Sequence, residues 1–264
     1  MRWTLLTAFL LAVASAPAAA APPSVELEAL TWTELRDALR AGVTTIIIPA
    51  GGTEQSGPHM ALGKHNVRAR VLSDRIAAAL GDTLVAPVLA YVPEGAISPP
   101  AGHMRFPGTI SIPDATFKST VEAAGRSLRQ AGFRHIVLLG DHGGYQPLLK
   151  EAAAALNKEW AGSGVRAHFI EDYYRATQAA YVQALRAKGL SDAQIGTHAG
   201  AADTSLMLAI DPSLVRTDRL AGHGAADGTQ GDPASSNAAL GQLGVDLIVS
   251  QTVMAIRKAR AEKH

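Results

Sequence analysis

Glutamate, aspartate and histidine recur in this chain at the points where apolar runs stop. Glu54 and His65 lie in the polar stretch after the run that ends at Ile48, and His142 lies in Gly140-Asp141-His142-Gly143-Gly144 after another. His198 and Asp203 occupy a later glycine-rich turn, and His59 and His103 punctuate elements in the same way. A neutral imidazole offers one lone pair and a carboxylate two oxygens, so such groups converging at one point hold a hard-to-borderline divalent ion. The chain has no cysteine, which excludes disulfides, thiolate zinc sites and a cysteine nucleophile together.

The elements that must position these residues alternate. Apolar spacing and stop signals predict helices over 33–41, 67–80, 147–160, 173–187 and 244–260. A further helix starts from an Asp114 cap, carries the stripe Phe117, Val121, Ala124 and Leu128, and ends at Gly132. Continuous apolar runs predict strands over 44–48, 84–88, 136–139 and 165–170, the first closed by Pro49 and the glycines after it. Strands and helices in alternation make a single α/β domain with a mostly parallel sheet covered on both faces. Ligands of such sheets bind at the carboxyl ends of the strands, where both polar loops sit. The Gly, Asp and Ser-rich stretch 222–236 reads as a site wall or a subunit contact.

Lysine plus arginine total 24 against 23 for aspartate plus glutamate, so nothing in the charge balance fits nucleic acid. Arg2, the apolar run from Leu5 to Val13 and the small residues from Ala16 to Ala21 have the order of a signal peptide over residues 1–21, cut near Ala20. The expected mature protein, 22–264, is then periplasmic or secreted and has no membrane span.

Five blocks in order resemble one family, the creatininase-like amidohydrolases. Gly51-Gly52-Thr53-Glu54-Gln55-Ser56-Gly57-Pro58-His59-Met60-Ala61-Leu62 is similar to its signature, which reads Gly-x-x-Glu-Gln-His-Gly-Pro-His-Leu-Pro-Leu and ends in Thr-Asp. Phe106-Pro107-Gly108-Thr109, His142-Gly143-Gly144, His198-Ala199-Gly200 with Asp203-Thr204-Ser205, and Gly231-Asp232-Pro233 resemble its later blocks. The resemblance implies a three-layer α/β/α fold, homo-oligomers that are often hexameric, and a two-metal centre that hydrolyses small or cyclic amides. Carried over, it makes Glu54, His65 and His142 ligands of the first metal. It makes Asp203 a fourth ligand or general base, and His198 the donor of a proton to the leaving nitrogen.

Departures from the pattern alter the expected chemistry. His65 stands where the family has a metal-bridging Asp, Ser56 where it has a second-metal His, and Lys64 where Thr is usual. An imidazole cannot bridge two ions as a carboxylate does, so the family's second position is lost. What remains is two histidines and a carboxylate, the ligand set of mononuclear zinc hydrolases. The expectation is therefore an exported hydrolase of a small-molecule C–N bond with one Zn²⁺ per subunit, Mn²⁺ being the other fitting ion. A non-catalytic relative that binds an exported metabolite, and an esterase or lactonase on the same scaffold, are the alternatives.

Overall fold

The computed structural model describes residues 22–262, and the expected leader lies outside the described residues. Four strands, β1 (Thr45–Ala50), β2 (Thr83–Val85), β3 (His135–Gly140) and β4 (Arg166–Phe169), form a sheet in the order β2-β1-β3-β4. Every pairing is parallel. Side chains alternate across it: Ile46, Ile48, Ile136 and Leu138 enter one core, while Ile47, Val137 and Leu139 enter the other. A strand buried on both faces gains from apolar residues at every position, which is why β1 and β3 carry no polar alternation.

The first core is closed by α3 (Asp114–Ala131) and α4 (Gln146–Glu159), through Phe117, Val121, Leu149 and Leu156, with α1 (Trp32–Arg40) adding Ala38. The other is closed by α2 (Lys64–Leu80), α5 (Asp172–Gln178), α6 (Ala180–Ala187), the short α7 (Asp192–Ile195), α8 (Ala201–Ile210) and α9 (Ala238–Ala261). The result is the three-layer α/β/α architecture, in one domain. By length and composition α9 could cross a membrane, but Val245, Ile248, Val253 and Ile256 are buried in this second core.

Differences from the expected elements have local causes. Pro49 does not end β1: its carbonyl accepts from Leu89 N (2.9 Å), so its nitrogen faces the side where β2 has already stopped at Val85 and no ladder needs a donor. The helix expected over 173–187 is two, broken at Ala179 (φ −118°, ψ −75°), with Tyr173 and Tyr181 both in the core. The last helix starts at Ala238, earlier than its apolar pattern, because Asn237 accepts from Leu240 N (2.9 Å) as its cap.

Helices α8 and α9 approach so closely at Gly241 that a Cβ there would lie 1.8 Å from Ser205 O. Since the obstacle is backbone, Gly241→Ala should force the helices apart and cost about 1–3 kcal/mol. A lowered midpoint in thermal or urea unfolding checks this, and an unchanged midpoint would refute the close packing.

Candidate metal centre

Ala50 lies opposite Gly140 in the β1–β3 pair, and the chain adds β2 on one side of β1 and β3 on the other. Their carboxyl ends therefore border the switch-point crevice of the sheet. The fully buried Tyr145 fastens the two loops leaving it. Its hydroxyl lies 2.8 Å from Ala50 O and 2.6 Å from Gly51 O, and accepts from the amides of Asp141 (3.1 Å) and His142 (3.0 Å). Thr109 Oγ1 accepts from Gln55 N (3.1 Å), which ties the 106–109 segment to the signature loop.

Glu54 stands at the centre with no exposed surface. Its Oε2 meets His65 Nε2 at 3.0 Å, and His65 Nδ1 meets Asp141 Oδ2 at 2.6 Å. From there charge alternates outward. Arg68 Nε donates to Asp141 Oδ2 (2.8 Å), Arg68 Nη1 to Asp203 Oδ1 (2.8 Å), and the buried Lys64 Nζ to Asp203 Oδ2 (3.1 Å). Tyr173 Oη donates to Asp141 Oδ1 (2.8 Å), and Ala199 N to Asp203 Oδ2 (3.0 Å). Ala199 has φ +56°, a left-handed conformation unusual for a residue with a Cβ, and it holds the turn between His198 and α8.

The other Glu54 oxygen, Oε1, is buried and has no hydrogen-bond partner, as have both carboxylate oxygens of Glu94. His103 Nε2 lies 3.3 Å and His142 Nε2 3.6 Å from Glu54 Oε1, and His142 Nδ1 lies 3.4 Å from Glu94 Oε2. Donors about 3.4 Å apart are what a tetrahedral zinc with bonds of about 2.0–2.1 Å requires. Ligand atoms of Glu54, Glu94 and His142 all lie within 4.8 Å of one another, as do those of Glu54, His103 and His198. The donor set, two carboxylates and imidazoles with orphaned buried oxygens, fits a divalent ion.

Electrostatics follow from burial and these neighbours. Burial opposes ionisation of Glu54, but the hydrogen bond with His65 and the charges of His65, His142 and Lys64 hold its carboxyl below the ordinary range. Glu94 lacks such support, and burial with the Glu54 charge pushes it up to about 9. Burial first, then neighbouring positive charge, lowers His142 and His198 to about 4, which leaves lone pairs on both rings at neutral pH. Asp141 and Asp203 are depressed in spite of burial, by Arg68 and by Lys64 with Arg68 respectively. A cavity of about 210 Å³ opens beside these groups, lined by Lys64, Arg68, His142, Tyr174, His198 and Gln230 among others.

Of the residues expected from sequence, Glu54 and His142 come together, Glu54 with an unpartnered Oε1 and His142 with Nε2 toward it, while its Nδ1 accepts from Gly144 N (3.2 Å). His65 touches Glu54, but both of its nitrogens are engaged by carboxylates, so it lies outside both groups. Asp203 also lies outside them, with its two oxygens turned to Arg68 and Lys64. His198 lies by His103, ring centroids 4.2 Å apart, and His59 turns to Thr204 Oγ1 (3.0 Å). Glu94, on a segment without helical or strand period, is buried. Arg68 went unread; its place three residues after His65 and four after Lys64 on one helix face was the available signal. The 222–236 stretch does wall the site, since Gly228 O accepts from Gln55 Nε2 (3.3 Å) and Gln230 lines the cavity.

A parallel three-layer α/β sheet carrying a buried carboxylate–imidazole cluster at its switch point defines the class: an α/β protein with a metal-ligand site at its strand ends. The chain belongs to the creatininase family (creatinine amidohydrolase), whose model matches residues 28–256. It is similar to creatinine amidohydrolase of Pseudomonas putida, 31% identical over 203 residues, 76% of this chain and 77% of that one. It is also similar to a mycofactocin precursor peptide peptidase of Mycolicibacterium smegmatis, 31% identical over 69% of this chain and 64% of that one. Among solved structures, a mutant creatininase of Zn-Zn type superposes with a TM-score of 0.76 at 28% identity, covering 90% of this chain and 99% of that one. A manganese creatininase gives 0.74 at 28% identity, covering 90% and 100%.

Removing Asp141 should strip the buried Arg68 of one of its two carboxylates and release His65, so Asp141→Asn should cost about 3–5 kcal/mol in urea unfolding. Because the Asp141 and Asp203 carboxyls are depressed in the fold, their stabilisation is complete above the unfolded value of about 3.9 and is lost as pH falls through the lower folded values. The variant should accordingly lose less stability than the parent between about pH 4 and pH 2. An equally steep acid limb in both would contradict the assignment.

Proposed function

We propose that this protein is an exported, metal-dependent hydrolase that cleaves a C–N bond in a small amide or cyclic amide. The observation that carries the reading is the buried Glu54 carboxylate, whose free Oε1 faces His103 and His142 beside an open cavity. Family membership and the amidohydrolase names of its relatives support it. Glu54 and His142 are the residues on which the ion rests. When bound, a divalent ion, Zn²⁺ by preference and Mn²⁺ as the alternative, polarises an amide carbonyl and brings the pKa of coordinated water to about 7.

The protein's own groups supply the rest. His65, held by Asp141, fixes the orientation of Glu54. His198 Nε2 is held by Gln55 O (2.9 Å), and with its pKa lowered to about 4 the ring is neutral at pH 7. Its other nitrogen keeps a lone pair at the cavity, the group from which we derive proton transfer between water and the departing nitrogen. Asp203, engaged with two cations, serves as the counter-ion that keeps Lys64 and Arg68 buried at the cavity wall. Lys64 lines that wall with one acceptor for its three N–H donors, which favours substrates that present an oxygen there.

Purified protein should contain about one divalent ion per chain by elemental analysis and should hydrolyse at least one member of a panel of lactams, cyclic ureides and simple amides. Chelation or Glu54→Gln should remove metal and activity together, lowering kcat/KM by at least about a thousandfold. Tight binding of an amide without turnover would support a binding protein instead, and turnover confined to esters or to short peptides would relocate the substrate class. N-terminal sequencing of material from the periplasm or medium should begin between Ala19 and Pro23; a terminus at Met1 in the membrane fraction would exclude export by cleavage.

A further inference from the structure

We infer that the ion's third protein ligand is Glu94, on the segment between β2 and α3, and that His65 is a positioning residue which holds Glu54. The inference rests on the metal-dependent reading above. A buried carboxylate is costly unless hydrogen bonds or a paired cation compensate it, and among the described residues both Glu94 oxygens are without a hydrogen-bond partner and no Lys or Arg pairs with them, the Lys64 charge offsetting only part of the cost. Ligand atoms of Glu54, Glu94 and His142, one from each, lie within 4.8 Å of one another; His142 Nδ1, 3.4 Å from Glu94 Oε2, accepts from Gly144 N (3.2 Å), which leaves Nε2, the nitrogen facing Glu54, for the ion.

The backbone makes room for this carboxylate. Gly52 has φ +146°, and a Cβ on it would stand 2.4 Å from Glu94 Oε1. Any side chain at that position would fill the space Glu94 occupies, so the glycine is required by the placement of Glu94 as well as by its own dihedral angle. Ser111 Oγ fixes the turn from below, accepting from Glu94 N (3.0 Å) and donating to Gly95 O (2.8 Å). Hydrogen bonding thus serves the backbone at Glu94 and leaves its side chain free.

His65 shows the reverse pattern. Nε2 and Nδ1 are both taken, by Glu54 and Asp141, and Arg68 Nη2 lies 3.3 Å from Nδ1. Turning a nitrogen toward an ion would break one of two buried carboxylate contacts. Charge points the same way. Asp141 and Asp203 are matched by Arg68 and Lys64, and one divalent ion between Glu54 and Glu94 matches the two remaining carboxylates.

The two ligand sets differ in imidazole count. With Glu54, Glu94 and His142, X-ray absorption of zinc-loaded protein should show one imidazole in the zinc shell; with Glu54, His65 and His142 it should show two. Zinc affinity, measured by competition with a chromophoric chelator, should fall by more than a hundredfold in Glu94→Gln and recover most of the loss in Glu94→Asp. Metal-free Glu94→Gln should unfold at the same or a higher temperature than metal-free parent, because it removes an uncompensated buried acid; a merely structural Glu94 would make it less stable. Full zinc affinity in Glu94→Gln, or a two-imidazole shell of which His65→Gln removes one, would overturn the assignment and leave the hydrolase reading standing. Parent protein that takes up no zinc would overturn both.

Discussion

Burying one carboxylate at the end of a parallel strand dictates much of what surrounds it. Glu54 has no exposed surface, yet it is held ionised, and an isolated buried carboxylate would instead take up a proton. The fold meets this with a line of alternating charge running from Glu54 through His65, Asp141, Arg68 and Asp203 to Lys64. Each member is buried or half-buried and meets the next, with Glu54 Oε1 at one end and two of the Lys64 N–H donors at the other left over. A network of this kind is sensitive at every link, because removal of one member strands its neighbour in a region of low dielectric. Tyr145 and Tyr173 extend the same logic to the backbone and to Asp141, so the loop ends, the helix and the charges are fixed together.

Two of the positive groups, Lys64 and Arg68, come from the first turns of α2, with His65 between them. That is the wrong end of a helix for cations, since unpaired N–H groups already give it partial positive charge; each misplaced charge costs about 0.3–1 kcal/mol at an exposed site. The arrangement stands because Glu54, Asp141 and Asp203 all face that end. Where the resemblance leads one to expect Thr-Asp, Lys64 and His65 therefore put a cation and an imidazole in place of a carboxylate. They do so in a setting that already holds the carboxylates to match them, which accounts for both departures as one change.

Much of the architecture was legible in the sequence because both-face burial writes itself as unbroken apolar runs, as at Ile46, Ile47 and Ile48. The two loops that bring Glu54 and His142 together were legible for the same reason: they begin where those runs stop. Contacts across the fold were not. Nothing in the spacing of His65 reveals that Asp141 will occupy one nitrogen and Glu54 the other. Nothing around Glu94 distinguishes a solvated loop acid from one aimed into a crevice, because the segment between β2 and α3 has neither helical nor strand period. The break at Ala179 was invisible too, since the apolar pattern runs on through it.

That irregular segment is where this site has most freedom to differ from its relatives. Strand ends and the start of α2 are locked by the sheet register and by the charge line, so a change of donor there has no nearby replacement in the same element. A loop crossing the crevice carries no ladder, and a residue on it reaches the ion by a local turn such as the one Ser111 fixes at Glu94. Glu94 and His103 both come from that crossing, and both face Glu54 or His142 at ligand-pair distances. On the proposed assignment a donor on the loop completes the site, provided that the central carboxylate and His142 stay where the sheet puts them.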